Sequence, residues 1–598
     1  MLKNLFLTSV IIVFNFLPLL AQDISSPDIT TAEIKKHIYY LASDDLKGRY
    51  TGSEECLTAA HYIENQFKFY GLKPAFDSSY LQEFPFVAGV ELTKNNSLEF
   101  SGGNKKITPK LNDEYTTVSF SGKTNIDKEL VFAGYGISAP DIDYDDSTGI
   151  DVKGKVVLVL RDHPEMNIPH SKFDQYAPLR KKSVVARDKG AAAIIFINRF
   201  DPNNDKDELL SLKYDQAGAM DDFGVLNMRR EIAEKLFRSQ SNNLKDYQKV
   251  IDDSLKPASF IFKNLNVRLS TEVHEIEKLS WNVCGYIEGN DPELKNQYLI
   301  IGAHFDHLGM GDQNSLYTGT EPQIHNGADD NASGTAGVLE LAQKIASEKD
   351  KLKRTVVLVA FSGEEEGLLG SAYFVDHMPF PAENTDAMIN MDMIGRLRDK
   401  SLIVYGTGTS SNWKDILNKD NTDSLDLSFN DEGYGPSDQS SFYAKKIPVL
   451  FFFTGTHEDY HKPSDDADKI NFDGEKEVLD YVYDVFNSID DTKEKPDYLL
   501  VERKEPEKMP SRKVWVGTIP DFAGNVDGYK ISGVSEGGPA ETAGLQGGDI
   551  IIKFGDKKIS NIYDFTYALA DYVPGDIVEV VVKRGDEEKT FQIKLGTR

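Results

Sequence analysis

The stretch Tyr298-Leu299-Ile300-Ile301-Gly302-Ala303-His304-Phe305-Asp306-His307 decides the fold. A near-continuous apolar run that ends in a histidine and an aspartate reads as a strand covered on both faces, with polar groups delivered at its C-terminal end. Three further runs have the same form: Thr355-Val356-Val357-Leu358-Val359-Ala360-Phe361, Ala387-Met388-Ile389-Asn390-Met391-Asp392 and Pro448-Val449-Leu450-Phe451-Phe452-Phe453. Helical spacing fills the gaps between them, as over Gly337–Ser347. Buried strands alternating with helices define an α/β domain, here about 273–498.

Ligand-type side chains gather where these strands end. His304 closes the first, Glu364 and Glu365 follow the second after Ser362-Gly363, and Asp392 closes the third. His461 lies in a loop after the fourth, and Asp329-Asp330 precede a helix beginning near Ala332. Loops at the C-terminal ends of strands are where open α/β sheets carry their sites. Carboxylates are almost never buried unless paired or bound to metal. Two histidines, His304 and His461, with the carboxylates Asp330, Glu365 and Asp392 suit zinc, which takes nitrogen and oxygen ligands and keeps a position open for water. Two ions sharing one carboxylate is the economical arrangement, and a water shared between them becomes a strong nucleophile near neutral pH. The adjacent pair Glu364-Glu365 offers one carboxylate as a ligand and one as a base. Asp329-Asp330 taken alone reads equally as a helix cap.

Working outward, residues from about Ser26 to Ala75 read as two helices around a polar loop, Lys47-Gly48-Arg49-Tyr50-Thr51-Gly52-Ser53. From about 125 to 272 the pattern changes to short strands with a helix over Leu179–Lys189, a β-rich module set into the α/β domain. A charged, proline-containing linker at 499–512 leads to a segment at 513–598 with glycine-rich turns and an alternating tail, expected to be a small β-barrel. At the start, Lys3, an apolar run Leu5–Leu20 and Ala21 read as an export signal over residues 1–21. The run is short for a membrane span, so a mature chain from Gln22, periplasmic or secreted and without a stable span, is expected. The 598 residues carry a formal charge of −29, which disfavours nucleic acid as a partner. Cys56 and Cys284 are too few for a disulfide framework; they read as small buried apolar residues, with a single pairing in an oxidising compartment as the alternative.

With those residues in view, the α/β segments resemble the co-catalytic di-zinc aminopeptidase family, which includes aminopeptidase Y and has glutamate carboxypeptidase II, glutaminyl cyclase and the transferrin receptor among its relatives. The resemblance is carried by Gly302–His307, by Gly327-Ala328-Asp329-Asp330-Asn331-Ala332-Ser333-Gly334, by Phe361–Ser371, by Asn390–Gly395 and by Tyr460-His461-Lys462-Pro463-Ser464-Asp465. It implies a zinc-exopeptidase mixed sheet flanked by helices, holding two Zn2+ per chain. His304 and Asp392 would hold one zinc, Glu365 and His461 the other, and Asp330 would bridge them. Glu364 would act as general base and acid, Tyr460 would stabilise the oxyanion, and Asp306 would orient His304. Relatives commonly carry histidine where this chain has Gln439, which we read as a change near the substrate pocket. His307, His325 and His457 are read as pocket or structural residues.

The β-rich module resembles a protease-associated domain, and Gly48–Ser53 with Tyr70–Pro74 matches the opening of the peptidase domain, so that 22–124 is its N-terminal part. The C-terminal segment resembles a PDZ domain through Pro539–Leu545 and Gly547–Ile551. Its candidate peptide-binding loop is Val516, Gly517, Thr518 and Ile519, which would accept an extended peptide as an added strand. The function implied is removal of the N-terminal residue of peptides. The alternatives are a carboxypeptidase or dipeptidase, for which Arg396 or Arg398 would receive a free carboxylate, a glutaminyl cyclase, and a peptide-binding protein on an inactive scaffold. The complete ligand set weighs against the last two.

Overall fold

The computed structural model describes residues 27–501 and 514–597, apart from 104, 167, 169–170, 202–205, 215–217, 312–313, 318, 320, 521–527, 536, 560–564, 566–567, 570–571, 573 and 586. The expected export signal and most of the expected linker lie outside the described residues.

The four apolar runs form the centre of a nine-stranded sheet. Their order is Thr355–Phe361, Tyr298–His304, Thr385–Met391, Val449–Phe453, and each neighbouring pair is parallel. Parallel pairing places all four C-terminal ends on one edge, which is where the ligand-type residues begin. Ser401–Tyr405 and Asp426–Asn430 extend one side. Val273–Ile287 runs antiparallel on the other side and pairs along its length with Leu81–Leu92.

Alternation within each strand builds two cores. Leu299, Ile301 and Ala303 face the helices Thr31–Leu41, Glu54–Tyr70, Gly334–Ser347 and Phe472–Asp491, whereas Ile300, Val357 and Val359 face Leu369–Asp376 and Gln439–Ala444. Both layers are buried, so the strands read as unbroken apolar runs. The helix Glu54–Tyr70 begins where the Ser53 side chain accepts from Cys56 N at 3.0 Å, and ends at Gly71, which takes φ +80°. The helices expected over 179–189 and 337–347 are found as Leu179–Asp188 and Gly334–Ser347. Cys56 and Cys284 are both buried and unpaired with each other.

A second, eight-stranded sheet has the order Lys105–Ile107, Ser97–Gly102, Phe260–Thr271, Thr124–Phe132, Val156–Leu160, Ala193–Ile197, Gly224–Met228, Tyr115–Thr117. It therefore takes in strands upstream of residue 125, where the sequence reading began the insert. Ser97–Gly102 pairs with Phe260–Thr271, and the burial of Leu98 and Phe100 against that module's core, not composition, decides the assignment. A third sheet runs Thr518–Pro520, Tyr529–Val534, Ile550–Phe554, Ile577–Arg584, Glu587–Lys594, with a short helix Pro539–Ala543 and a core of its own drawn from residues 514–595. Among the described residues no helix is long and apolar enough to cross a membrane.

Candidate metal centre

At the C-terminal edge of the central strands the five expected ligands converge. His304 Nε2 lies 3.4 Å from Asp330 Oδ1 and 3.4 Å from Asp392 Oδ1. His461 Nε2 lies 3.3 Å from Asp330 Oδ2 and 3.3 Å from Glu365 Oε2. Asp330 thus turns one carboxylate oxygen toward each histidine. Metal–nitrogen and metal–oxygen bonds of about 2.0–2.2 Å set at tetrahedral angles put neighbouring ligand atoms roughly 3.3–3.5 Å apart. All four distances fall at that edge length, which is long for a hydrogen bond. His304 Nε2 and Asp392 Oδ1 are buried with no hydrogen-bond partner, an arrangement that costs several kcal/mol unless a cation fills the space between them.

The far nitrogens of both imidazoles are anchored. His304 Nδ1 donates to the Asp306 carbonyl at 3.2 Å, and His461 Nδ1 donates to the Asn314 carbonyl at 2.9 Å. Each bond puts the proton on Nδ1 and leaves the Nε2 lone pair for a metal. Asp306 therefore orients His304 with its backbone oxygen, while its Oδ1 stands 3.7 Å from the ring. The Asp306 carboxylate accepts instead from Thr51 Oγ1 at 2.7 Å and from Glu364 N at 3.2 Å.

Charges in the cluster act directly on one another. Burial alone would neutralise His304, but the Asp392 and Glu364 carboxylates raise its pKa well above the usual value. Burial likewise opposes ionisation of Asp330, and the adjacent His304 and His461 imidazoles hold it well below the usual range. Glu365 is held at about 2, against its burial, by His307 and His461. Glu364 goes the other way: burial, then repulsion from Glu365, Asp392 and Asp438, lifts its carboxyl well above normal. The adjacent carboxylates thus separate into a committed anion and a proton-accepting group of raised basicity. Glu364 Oε2 stands 3.9 Å from His304 Nε2, longer than the tetrahedral edge, although it lies close enough to His304 and Asp392 to form a ligand-type triad with them.

Two features were not read from the sequence. Arg49 is wholly buried and donates to the carbonyls of Phe305 at 2.6 Å, Asn326 at 2.7 Å, Gly327 at 3.0 Å and Leu41. It ties the loop after His304 to the loop before Asp330. Its neighbour Gly48 must be glycine, because a Cβ there would meet the His325 carbonyl at 2.3 Å at φ +69°. Asn331 bonds the Met391 carbonyl, and its Oδ1 receives Gly334 N and Met393 N, holding the Asp330 turn onto the strand of Asp392. Gly334 N is met by Asn331, so the alternative of Asp330 as a helix cap is not what the turn contains.

The remaining histidines divide. His325 is held by Gln323 and Ser315, and His457 Nε2 sits 3.2 Å from Asp329 Oδ2. His307 donates from Nδ1 to Glu365 Oε1 at 2.6 Å, a direct hydrogen bond that orients the carboxylate, although it lies close enough to Asp330 and Glu365 to form a ligand-type triad with them. Gln439 is buried and accepts from Asn390 Nδ2 at 3.1 Å, behind the strand that delivers Asp392. Tyr460 stacks on His461 with ring centres 3.9 Å apart. Burial and the surrounding carboxylates, Asp330 first, raise its phenol pKa, so it keeps its proton. Arg396 pairs with Asp459 and Asp465. Arg398 is exposed and donates to the Thr456 carbonyl at 3.0 Å.

An α/β sheet whose parallel strands deliver paired imidazole and carboxylate donors, with a spare carboxylate beside them, has the make-up of a metallohydrolase centre. The comparisons narrow that class. Residues 282–486 match the model of peptidase family M28, residues 126–225 that of the PA domain and residues 507–595 that of the PDZ domain. Over 282–486 the α/β region is similar to peptidase family M28. Leucine aminopeptidase 2 of Trichophyton equinum is 28% identical over 188 residues, 30% of this chain and 34% of that protein. A probable zinc metalloprotease of Pyrenophora tritici-repentis is 40% identical over 103 residues, 17% of this chain and 22% of that protein. The matched stretches span about a third or less of these curated relatives. Among solved structures, an aminopeptidase from Aneurinibacillus sp. strain AM-1 aligns over 80% of this chain and 97% of its own, at 23% identity and a TM-score of 0.45.

Proposed function

We propose that the chain is an exported zinc aminopeptidase with two metal ions. The observation that carries this reading is the division of Asp330 between His304 and His461 at tetrahedral edge distances. One zinc would be held by His304, Asp392 and Asp330 Oδ1, the other by His461, Glu365 and Asp330 Oδ2. Bound there, the pair supplies Lewis acidity and a water acidic enough to attack near neutral pH. Glu364 accepts the proton of the attacking water and returns it to the leaving amine. Its raised pKa suits a group that must hold and release a proton in one cycle. The protonated Tyr460 phenol donates to the carbonyl oxygen as negative charge develops on it. The similarity to a leucine aminopeptidase favours a free N-terminus as the recognised end. Against a carboxypeptidase stands the commitment of Arg396 to Asp459 and Asp465. Export rests on the sequence of residues 1–21.

The PDZ region adds a second contact with peptides. Thr518–Pro520 is the last strand of its sheet, paired with Tyr529–Val534 on one side only among the described residues. An extended peptide adding there, next to Val516 and Gly517, is the recognition mode this edge supports.

The test uses the chain from Gln22 against free and N-acetylated aminoacyl amides and dipeptides, with and without a chelator. Hydrolysis restricted to substrates with a free amine and abolished by chelation is expected. Glu364→Gln should keep the wild-type metal content and lose about 10²–10⁴ in kcat. Cleavage of acetylated substrates that need a free carboxylate would replace this reading with the carboxypeptidase.

A further inference from the structure

Behind Asp330 lies a second charged cluster whose acids, Asp465 and Asp459, have none of the expected roles. Residues 328–333 form an irregular turn in which Asp330 takes φ −107° and ψ +91° and Asn331 φ −134° and ψ +50°, outside helical values. The buried N–H groups of such a turn have no helical acceptor and need one from elsewhere. Asp465 supplies it. Its Oδ2 accepts from Asp329 N at 2.9 Å and from Asp330 N at 3.1 Å, and its backbone carbonyl accepts from Ala328 N at 3.0 Å. The other carboxylate oxygen accepts from Arg396 Nη2 at 2.8 Å, and Arg396 Nη1 lies 3.3 Å from Asp459 Oδ2. Asp459 is in turn held by Ser464 and Lys469, each at 2.6 Å.

These contacts have a topological meaning. Asp465 lies four residues after His461, and Arg396 lies four residues after Asp392. One fully buried carboxylate therefore ties together the loop of His461, the loop of Asp392 and the backbone of the bridging Asp330. Its charge is spent on backbone donors and a guanidinium, and it contributes no atom to the ligand pattern.

We propose that Asp465, held by Arg396, is a positioning residue for the two-metal centre: it fixes the backbone of Asp329 and Asp330 so that the Asp330 carboxylate stands between His304 and His461. This rests on the metal-centre reading above. It also gives Arg396 an internal duty in place of a substrate carboxylate.

The test reads metal binding apart from turnover. Full-length apo-protein is titrated with zinc against a chromophoric chelator, well below the melting temperature of each variant. Asp465→Ala is expected to weaken at least one site by about 10–100-fold, the range typical of groups that orient a ligand. Asp465→Asn, which keeps an oxygen for the two N–H groups but loses the ion pair, should weaken it less. Both should shift the ligand-field bands of the cobalt-substituted protein. A lowered melting temperature with wild-type zinc affinity and an unshifted cobalt spectrum overturns the proposal. Should the alanine variant fail to fold, the asparagine variant carries the same test, and wild-type affinity together with a wild-type spectrum in it would sink the idea. A wild-type protein that binds no zinc in this titration would instead remove the metal-centre reading itself.

Discussion

At the scale of single residues, the centre works by assigning each polar atom one partner. The Nδ1 atoms of His304 and His461 are spent on backbone carbonyls, so only Nε2 faces the cluster. Those histidines and carboxylates were legible in the sequence because ligand-type side chains gather at the ends of apolar strands and in the loops between them. Arg49 and Asp465 were not, because their partners are backbone carbonyls and N–H groups, which every residue carries and no sequence pattern marks. A buried acid away from the centre gives a separate test. Glu340 accepts from Thr30 N at 3.0 Å and faces His37 Nε2 at 3.5 Å, and burial, with Glu33 adding, raises its pKa to about 8. His37, lowered to about 3 by burial and Lys36, offers it no positive charge. The folded-state pKa of Glu340 exceeds that of the unfolded chain, near 4.5, so its contribution is intact below that pH and is lost as pH rises toward 8. Glu340→Gln should therefore lose less melting temperature than wild type between about pH 5 and pH 8. Parallel melting curves across that window would contradict the assignment.

At the scale of elements, the strands that build the site were legible and their partners were not. Near-continuous apolar runs announce strands buried on both faces, and the four central ones are where the sequence put them. Which sheet a short strand joins depends on pairing across long distances, so Ser97–Gly102 could not be assigned from its own six residues. The segment Asp44–Ser53 shows the same limit from the functional side. Its loop chemistry was visible, but not that Arg49 braces two ligand loops or that Thr51 bonds Asp306. Arg49→Met should leave the carbonyls of Phe305, Asn326 and Gly327 buried without donors, at a cost of about 3 kcal/mol or more. Urea denaturation would measure it, with Arg49→Lys expected to recover part of the loss. A variant as stable as wild type would show that the brace carries no weight.

At the scale of the molecule, the three largest sheets among the described residues do not share a core. The C-terminal core draws only on residues 514–595, while Leu499 and Val501 still bond into the α/β domain through Thr409 and Tyr443. A chain ending at Val501 is thus expected to melt as the peptidase part does in the full protein and to cleave short substrates with unchanged kcat/KM. Loss of zinc affinity in that truncation would show that the PDZ region supports the centre. The Arg49 brace also has a meaning in time. Its carbonyl partners on Phe305, Asn326 and Gly327 lie 256, 277 and 278 residues further along the chain. At roughly 5–20 residues made per second, the guanidinium waits on the order of tens of seconds after its own synthesis for the carbonyls that will bury it. During that wait the helices around it have an apolar face with nothing to cover it, and the inserted sheet, complete by Thr271, can fold first. The core of the α/β domain is consequently a part of a newborn chain that closes late, and the proposed metal centre can assemble only then.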